Sequence, residues 1–399
     1  ATRCRGRCAG RCAVWRTDGS GGPPYKWTKI SSPSNIETDD NEEITSLAVA
    51  QKRLWAGTYS GRGCEVWTYD GAAWSQAVGQ GAPGTPTGPG FGDKNNNSVI
   101  SMAASAAGHV FFGTSKYQGA DVWRWDGSQM ARINRPGFGL PENFKIPILV
   151  FYKSSLYAIT FRSGRSSQAW KYVGPNPENW KAVSLNGCGD PANAMAKGAA
   201  VFGSPACLYV GFNNYDPSLT AAAGPFGCTV MRYNGAKWEK ANSNGFGDPA
   251  IRSSGALQAY GDQLYAGADA ESGGLVYATR GGKNTPHDWT LKNEPGFTSN
   301  ANGTAASSAY FLGSLYVGTT NPTGCEVWRR QGSTWRRVAE KGFGNKNNYR
   351  AMSMAAVGGA LYVGTGNYME GCEVWRHDGS AWTRINRNGF GDSRTTEAA

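Results

Sequence analysis

Three histidines in 399 residues leave little material for imidazole chemistry. His109, His287 and His377 fall in separate stretches, so neither a histidine-based metal site nor a Ser-His-Asp arrangement has much to build on. No apolar run approaches the length of about 18 residues that a membrane helix needs. The Arg-rich first dozen residues lack the apolar stretch of a signal peptide, so the chain reads as mature or trimmed. Charged residues make up only 17%, and helical periodicity is scarce. What is abundant is Gly (56), Tyr (18) and Trp (15), the composition of many short strands joined by tight turns.

Lys and Arg number 40 against 29 Asp and Glu, a net +11. Such an excess favours anionic partners, and it also serves solubility. It is spread over Arg3, Arg5, Arg7, Arg11 and Arg16 and over Arg329, Arg330, Arg336 and Arg337, so no single motif owns it.

A repeat organises the chain. Its end reads Leu361-Tyr-Val-Gly-Thr-Gly, then Gly371-Cys-Glu-Val-Trp-Arg, then Asn388-Gly-Phe-Gly-Asp392. The preceding copy has Leu315-Tyr-Val-Gly-Thr, Gly324-Cys-Glu-Val-Trp-Arg and Gly342-Phe-Gly-Asn345. Five weaker copies precede these, at Leu54, Phe111, Leu156, Leu208 and Leu264, which makes seven. Their spacing of roughly 45 to 57 residues suits a blade of four antiparallel strands, lettered a to d. Strand a is a run of small apolar residues, b is Leu-Tyr-Val-Gly-Thr, c starts at Cys-Glu-Val-Trp and d at the next Trp. Asp-Gly or Asn-Gly at 70, 126, 234 and 378 is expected to form the c–d turn, with positive φ at both residues.

The expected fold is therefore all-β: a seven-bladed β-propeller over residues 44–399, preceded by an Arg/Cys-rich segment and half-blade over 1–43. That half-blade is a c–d hairpin, Cys12-Ala-Val-Trp15 with Lys26-Trp27-Thr-Lys-Ile30, and it is one hairpin too many for simple seven-fold closure. It would cover a strand edge of its own ring or of a neighbour, or mark a longer array. The pattern resembles repeat β-propellers as a class. Its Asp-Gly-x-x-Trp turns at Asp70–Trp74 and Asp378–Trp382 resemble a partial Asp-box, as in sialidase-type and lectin propellers. Thr68 keeps the position two before the Asp, whereas Arg376 departs from it, and Asp and Gly are adjacent where the full box separates them. The resemblance implies a fold and transfers no catalytic residue.

No spacing picks out a catalytic set, and no enzyme activity or cofactor is expected. Cys12, Cys64, Cys228, Cys325 and Cys372 recur at one place in their copies, too far apart for disulfides, and read as small buried residues. Cys4, Cys8 and Cys12 could bind metal or a partner chain, and Cys188 and Cys207 could pair. Asp93, Asn95, Asn345 and Asn347 are candidate Ca²⁺ ligands beside the Gly-Phe-Gly turns, whose other reading is a rigid turn with Phe packed between blades. Asn96 and Asn302 head glycosylation sequons.

Repeated residues hold a blade together, so function belongs where copies differ. The b–c loops are the most individual segments, and in a propeller they share a face with the d–a loops. They supply the candidate ligand-binding residues Tyr59, Arg62, Tyr117, Arg162, Arg165, Asn213, Asn214, Tyr215, Asn321, Asn367 and Tyr368. Aromatic faces stack on sugar rings and the polar groups take hydroxyls. The expectation is a secreted or cell-surface glycan-binding propeller whose partners are glycans or an anionic surface rather than nucleic acid. The alternatives are a structural subunit of an extracellular assembly, self-associating through the N-terminal hairpin, and a glycan-active enzyme.

Overall fold

The computed structural model describes residues 2–4, 12–20, 22–38, 40–79, 84–162, 165–174, 176, 179–214, 227–251 and 253–398. It contains strands and short 3₁₀ turns, with no α-helix among the described residues. Seven antiparallel four-stranded meanders span 43–78, 98–132, 145–184, 195–240, 253–291, 304–337 and 350–384. Copy one runs Glu43–Ala50, Arg53–Tyr59, Val66–Tyr69 and Trp74–Val78, each strand pairing with the next. The chain divides into two compact units. One holds 31–249 and 282–286, with copies one to four; the other holds 1–30, 250–281 and 287–399, with copies five to seven and both chain ends.

Within each unit, three recurring contacts join one copy to the next. The turn Phe stacks on the strand-c Trp of the following copy: Phe91 on Trp123, Phe138 on Trp170 and Phe343 on Trp375, each with centroids 4.8 Å apart. Such pairs contribute about 0.5–1.5 kcal/mol beyond their buried area. A strand-a serine donates to the next strand a, as Ser101 Oγ does to the Ile146 carbonyl at 2.7 Å and Ser307 Oγ to Ala351 at 2.9 Å. The buried asparagine that ends five of the d–a turns, at 96, 143, 193, 302 and 348, does most. Asn348 Nδ2 donates to the Gly342 carbonyl (2.9 Å) and to Glu373 Oε2 (2.7 Å), while its Oδ1 accepts from Thr365 Oγ1 (3.2 Å). Glu373 also accepts from Trp375 Nε1 at 2.8 Å, so the strand-c carboxylate is buried but not unsatisfied.

The Gly-Phe-Gly turn explains its own spelling. Gly342 and Phe343 both lie in the left-handed region, at φ 59° and 55°. A Cβ on Gly371, the glycine before the strand-c Cys, would stand 2.7 Å from the Gly389 backbone of the turn. Only glycine allows that approach. The turn Asp or Asn caps backbone two residues on, as Asp93 Oδ1 accepts from the Asn95 N–H at 3.0 Å.

Three expectations change. The c–d Asp-Gly turns are four-residue loops: Gly71 has φ 106° but Asp70 is not at positive φ, and its Oδ1 accepts from the N–H groups of Ala72 and Ala73, both at 2.9 Å. Positive φ at both turn residues occurs instead in the two-residue a–b turns, such as Gln51-Lys52 (52°, 58°) and Lys153-Ser154 (47°, 59°). Cys188 and Cys207 do not pair; both are buried free thiols, and Cys188 takes the place of the turn Phe at φ 58°. Strand c begins two residues after the Cys, at Val66, Val327 and Val374, because the Cys N–H is bonded to the turn asparagine, Cys64 to the Asn96 carbonyl at 2.7 Å.

The N-terminal hairpin pairs Trp15–Arg16 with Thr28–Lys29 and docks on its own chain after copy seven. Trp15 stacks on Phe390 at 5.0 Å, and Trp27 Nε1 donates to the Ile385 carbonyl at 2.6 Å, as Trp382 Nε1 does to Val338 one copy earlier at 2.7 Å. The C-terminal strand Thr395–Ala398 pairs antiparallel with Thr2–Cys4, and Ser353 Oγ donates to the Ala398 carbonyl. The last strand thus stands where a strand a would stand, and the first residues pair with it.

Candidate functional site

A cleft of about 420 Å³ opens in the unit holding copies one to four. Its lining comes from the first residues of strands a in three successive copies (Glu43, Thr45; Ser98, Ile100; Lys145), from the ends of strands b (Tyr59, Ser115), and from Asn97, Tyr117 and Phe144. Pairing fixes these positions: Glu43 is opposite Tyr59, Tyr59 opposite Ser98, and Lys145 opposite Ser115. Each strand a therefore starts beside the end of the previous strand b, and side chains of three copies converge.

The aromatic side of the cleft is Tyr117, 81% exposed, stacked on Phe144 with centroids 6.2 Å apart and planes at 23°. Phe144 meets Phe161 edge-on at 5.2 Å, and Lys145 Nζ lies 5.8 Å over the Phe161 ring. The polar side is partly committed. Ser98 Oγ donates to Thr45 Oγ1 at 3.2 Å, and Thr45 Oγ1 to the Val99 carbonyl at 2.7 Å. Asn97 is held by its N–H on the Ser115 carbonyl at 3.0 Å, while its Oδ1 is shielded from solvent with no hydrogen-bond donor. An exposed ring, a carboxylate and an ammonium around one hollow can take an apolar face and several hydroxyls together.

Of the sequence candidates, Tyr59 and Tyr117 meet in this cleft. Arg62 is exposed and pairs with Asp40 at 3.0 Å. Arg162 is buried against Glu142, Nη2 to Oε1 2.6 Å, with Arg165 bridged to it on the surface. Asn213 ends the copy-four strand b, and Asn214 is buried with Nδ2 on the Gly227 carbonyl at 2.6 Å. Tyr215 and Cys8, and the side chain of Cys4, lie outside the described residues.

In the other unit, Asn321 and Asn367 are fully buried, donating to Asn302 Oδ1 (2.9 Å) and Asn348 Oδ1 (3.0 Å). They complete the turn networks and present nothing to a ligand. Tyr368 stacks on Tyr349 at 4.7 Å and donates to Glu397 Oε1 at 2.7 Å.

The sequon reading is corrected, and the calcium candidates are engaged within the chain. Asn96 and Asn302 are 0% exposed, their amides given to Gly90 and Asp121 and to Gly296 and Glu326, so neither presents an acceptor. Asp93 Oδ2 faces Lys116 Nζ at 3.0 Å; Asn345 and Asn347 both donate to Glu370 at 2.7 Å. Among the described residues no three His, Cys, Asp or Glu side chains gather as a metal set.

Sequence reasoning missed Glu43, Asn97, Phe144 and Lys145, because it searched only the b–c loops. The signal was available: Asn97 and Phe144 each directly follow the repeated asparagine, Asn96 and Asn143, at a position that changes from copy to copy.

No family model matches the chain, and no curated protein matches it in sequence. Solved structures match its fold. A puromycin-hydrolyzing peptidase of Mycobacterium tuberculosis is 12% identical over 94% of this chain and 56% of that one, TM-score 0.53. A prolyl endopeptidase is 11% identical over 86% and 49%, TM-score 0.53. The extracellular domain of a hybrid two-component system from B. thetaiotaomicron is 13% identical over 90% and 41%, TM-score 0.50. The chain spans about half the length of these structures. At such identities the likeness speaks for the fold alone, and the fold is that of the repeat β-propeller class.

Proposed function

We propose that this protein is a non-catalytic, extracellular glycan-binding propeller whose site is the cleft between Tyr59, Asn97, Tyr117, Phe144 and Lys145. The observation that carries the reading is Tyr117, an aromatic face left 81% exposed at the mouth of a polar-lined hollow. Sugar rings offer an apolar face to such a platform and hydroxyls to Glu43 and Lys145. Among the described residues Glu43 is the one carboxylate lining the cleft, whereas most glycosidases work with two flanking the scissile bond, which favours binding over hydrolysis. Burial raises the thiol pKa of Cys325 and Cys372 to about 12, so these cysteines are inert and compatible with an oxidising exterior.

The finer architecture belongs to the proposal too: seven whole blades, with an eighth position built from the C-terminal strand, Thr2–Cys4 and the N-terminal hairpin. Docking of that hairpin on Phe390 and Ile385 of its own chain supports a place in its own ring over a link to a neighbour. The test is a glycan array with the full chain, followed by calorimetry on the best binder. Tyr117→Ala is expected to weaken binding about tenfold or more, a loss of about 1.4 kcal/mol. Retained affinity in that variant would place the site elsewhere.

A further inference from the structure

The outer hairpin of copy six, Val327–Gln331 with Thr334–Arg337, sets Arg329 directly opposite Arg336, and Arg330 opposite Trp335. Like charges facing each other across an antiparallel pair oppose folding. Arg337 on the same hairpin is compensated by Glu326 at 3.4 Å. By contrast, Arg329, Arg330, Arg336 and Lys292 make no ion pair among the described residues. Two of them are nevertheless held in place. Arg329 lies over Tyr316 at 5.8 Å with Nε on Ser314 Oγ, and Arg330 lies over Tyr265 at 5.7 Å with Nη1 on Tyr265 OH at 2.9 Å. Lys292 is tied in through its carbonyl, which accepts from Trp335 Nε1 at 2.5 Å. Its ammonium pKa is drawn down by partial burial and then by the fields of Arg330 and Arg280, as expected where positive charge is crowded.

We propose that this hairpin edge binds an anionic polysaccharide, with Arg330 and Lys292 taking sulfate or carboxylate groups on one face and Arg329 and Arg336 on the other. Guanidiniums pinned on aromatic faces are already ordered, so less freedom is lost when an oxyanion takes their remaining N–H donors. Nucleic acid fits less well. The rings beneath these cations, Tyr265 and Tyr316, are buried and covered by the arginines, leaving no open face for a base to stack on. The surface is independent of the cleft, and Tyr117→Ala leaves it intact.

The test measures binding of the full chain to dextran sulfate, polygalacturonate and uncharged dextran across a salt series. Either charged polymer should bind, their ranking separating sulfate from carboxylate recognition, and uncharged dextran should not. Arg330→Gln with Lys292→Gln should bind about tenfold more weakly, with the salt slope reduced by about one for each cation removed. Lys52→Gln with Lys94→Gln removes equal charge elsewhere and should change affinity less than about twofold. If loss of the Tyr265 contact harms folding, the exposed Arg336→Gln carries the test alone. Equal losses in the control pair, or tighter binding of single-stranded DNA than of either polyanion, would overturn the proposal.

Discussion

Tyr117 and Tyr368 hold the same place in the repeat, at the start of the b–c loop of copies two and seven, and they have opposite fates. Tyr368 is stacked on Tyr349 and its hydroxyl is bound by Glu397. Tyr117 stacks only at a distance on Phe144, stands 81% exposed, and borders a hollow. The two units containing them are built from one repeat, so the fold explains neither difference. The neighbours do: the residue after the buried turn asparagine is Asn97 in one copy and Tyr349 in the other. Identical positions become scaffold or site according to whether the chain supplies their partners.

The comparison breaks most visibly at the scaffold. Phe343→Ala removes the ring stacked on Trp375 and set edge-on to Trp382, and should cost about 3–5 kcal/mol in denaturant unfolding. Asn348→Ala strands the Gly342 carbonyl and Glu373 and should cost about 1–3 kcal/mol, with Glu373→Gln added to the variant recovering part of the loss. Neither change in copies six and seven should alter the glycan binding proposed for the cleft.

Smaller effects sharpen the contrast between the tyrosines. Tyr368→Phe loses the bond donated to Glu397 and the one accepted from the Tyr349 hydroxyl, and should lower stability by about 1–2 kcal/mol while leaving ligand binding at the cleft unchanged. Tyr117→Ala should shift stability by less than about 0.5 kcal/mol, a surface change, while the affinity falls.

The smallest effect is a pH dependence of the c–d turns. The N–H groups of Gln129 and Ser128 lower the Asp126 pKa from 3.8 to about 2, and Asp378 is depressed in the same way by Ala381 and Ser380. A depressed folded pKa gives stability that is present above the ordinary carboxylate value and lost as pH falls through the folded one. Melting temperature should therefore hold above about pH 5 and decline toward pH 2. Asn234 makes the same two caps without charge, at 2.9 and 3.0 Å. Asp126→Asn should accordingly flatten the acid limb in a melting series.

Much of this was legible in the sequence, for physical reasons. The period, the strand order and the Gly-Phe-Gly turn were readable because backbone demands recur: left-handed glycines, a stacked Phe and a capping Asp appear copy after copy. Burial of the recurring cysteines followed from their equivalence. The turn asparagines were not legible as network centres. Asn96 and Asn302 looked like sequons because a hydrogen bond to the carboxylate of the next copy, as from Asn302 to Glu326 at 2.8 Å, leaves no local mark. The cleft was half legible: Tyr59 and Tyr117 stand where strand b runs into a loop that varies, whereas Glu43 and Lys145 open strands whose role looked structural. Docking of the N-terminal hairpin depends on Phe390, more than 350 residues away from its Trp27 in sequence, as the bond from Trp27 to Ile385 across 358 residues illustrates.

The central claim is that an exposed tyrosine at the mouth of a polar-lined hollow marks a sugar site. Calorimetric titration of the wild-type chain and of Tyr117→Ala with the best glycan from an array tests it most directly. The account predicts a saturable heat in the wild type, weakened about tenfold or more in the variant at unchanged melting temperature. Equal affinities in the two proteins, or an array on which no glycan binds, would contradict it.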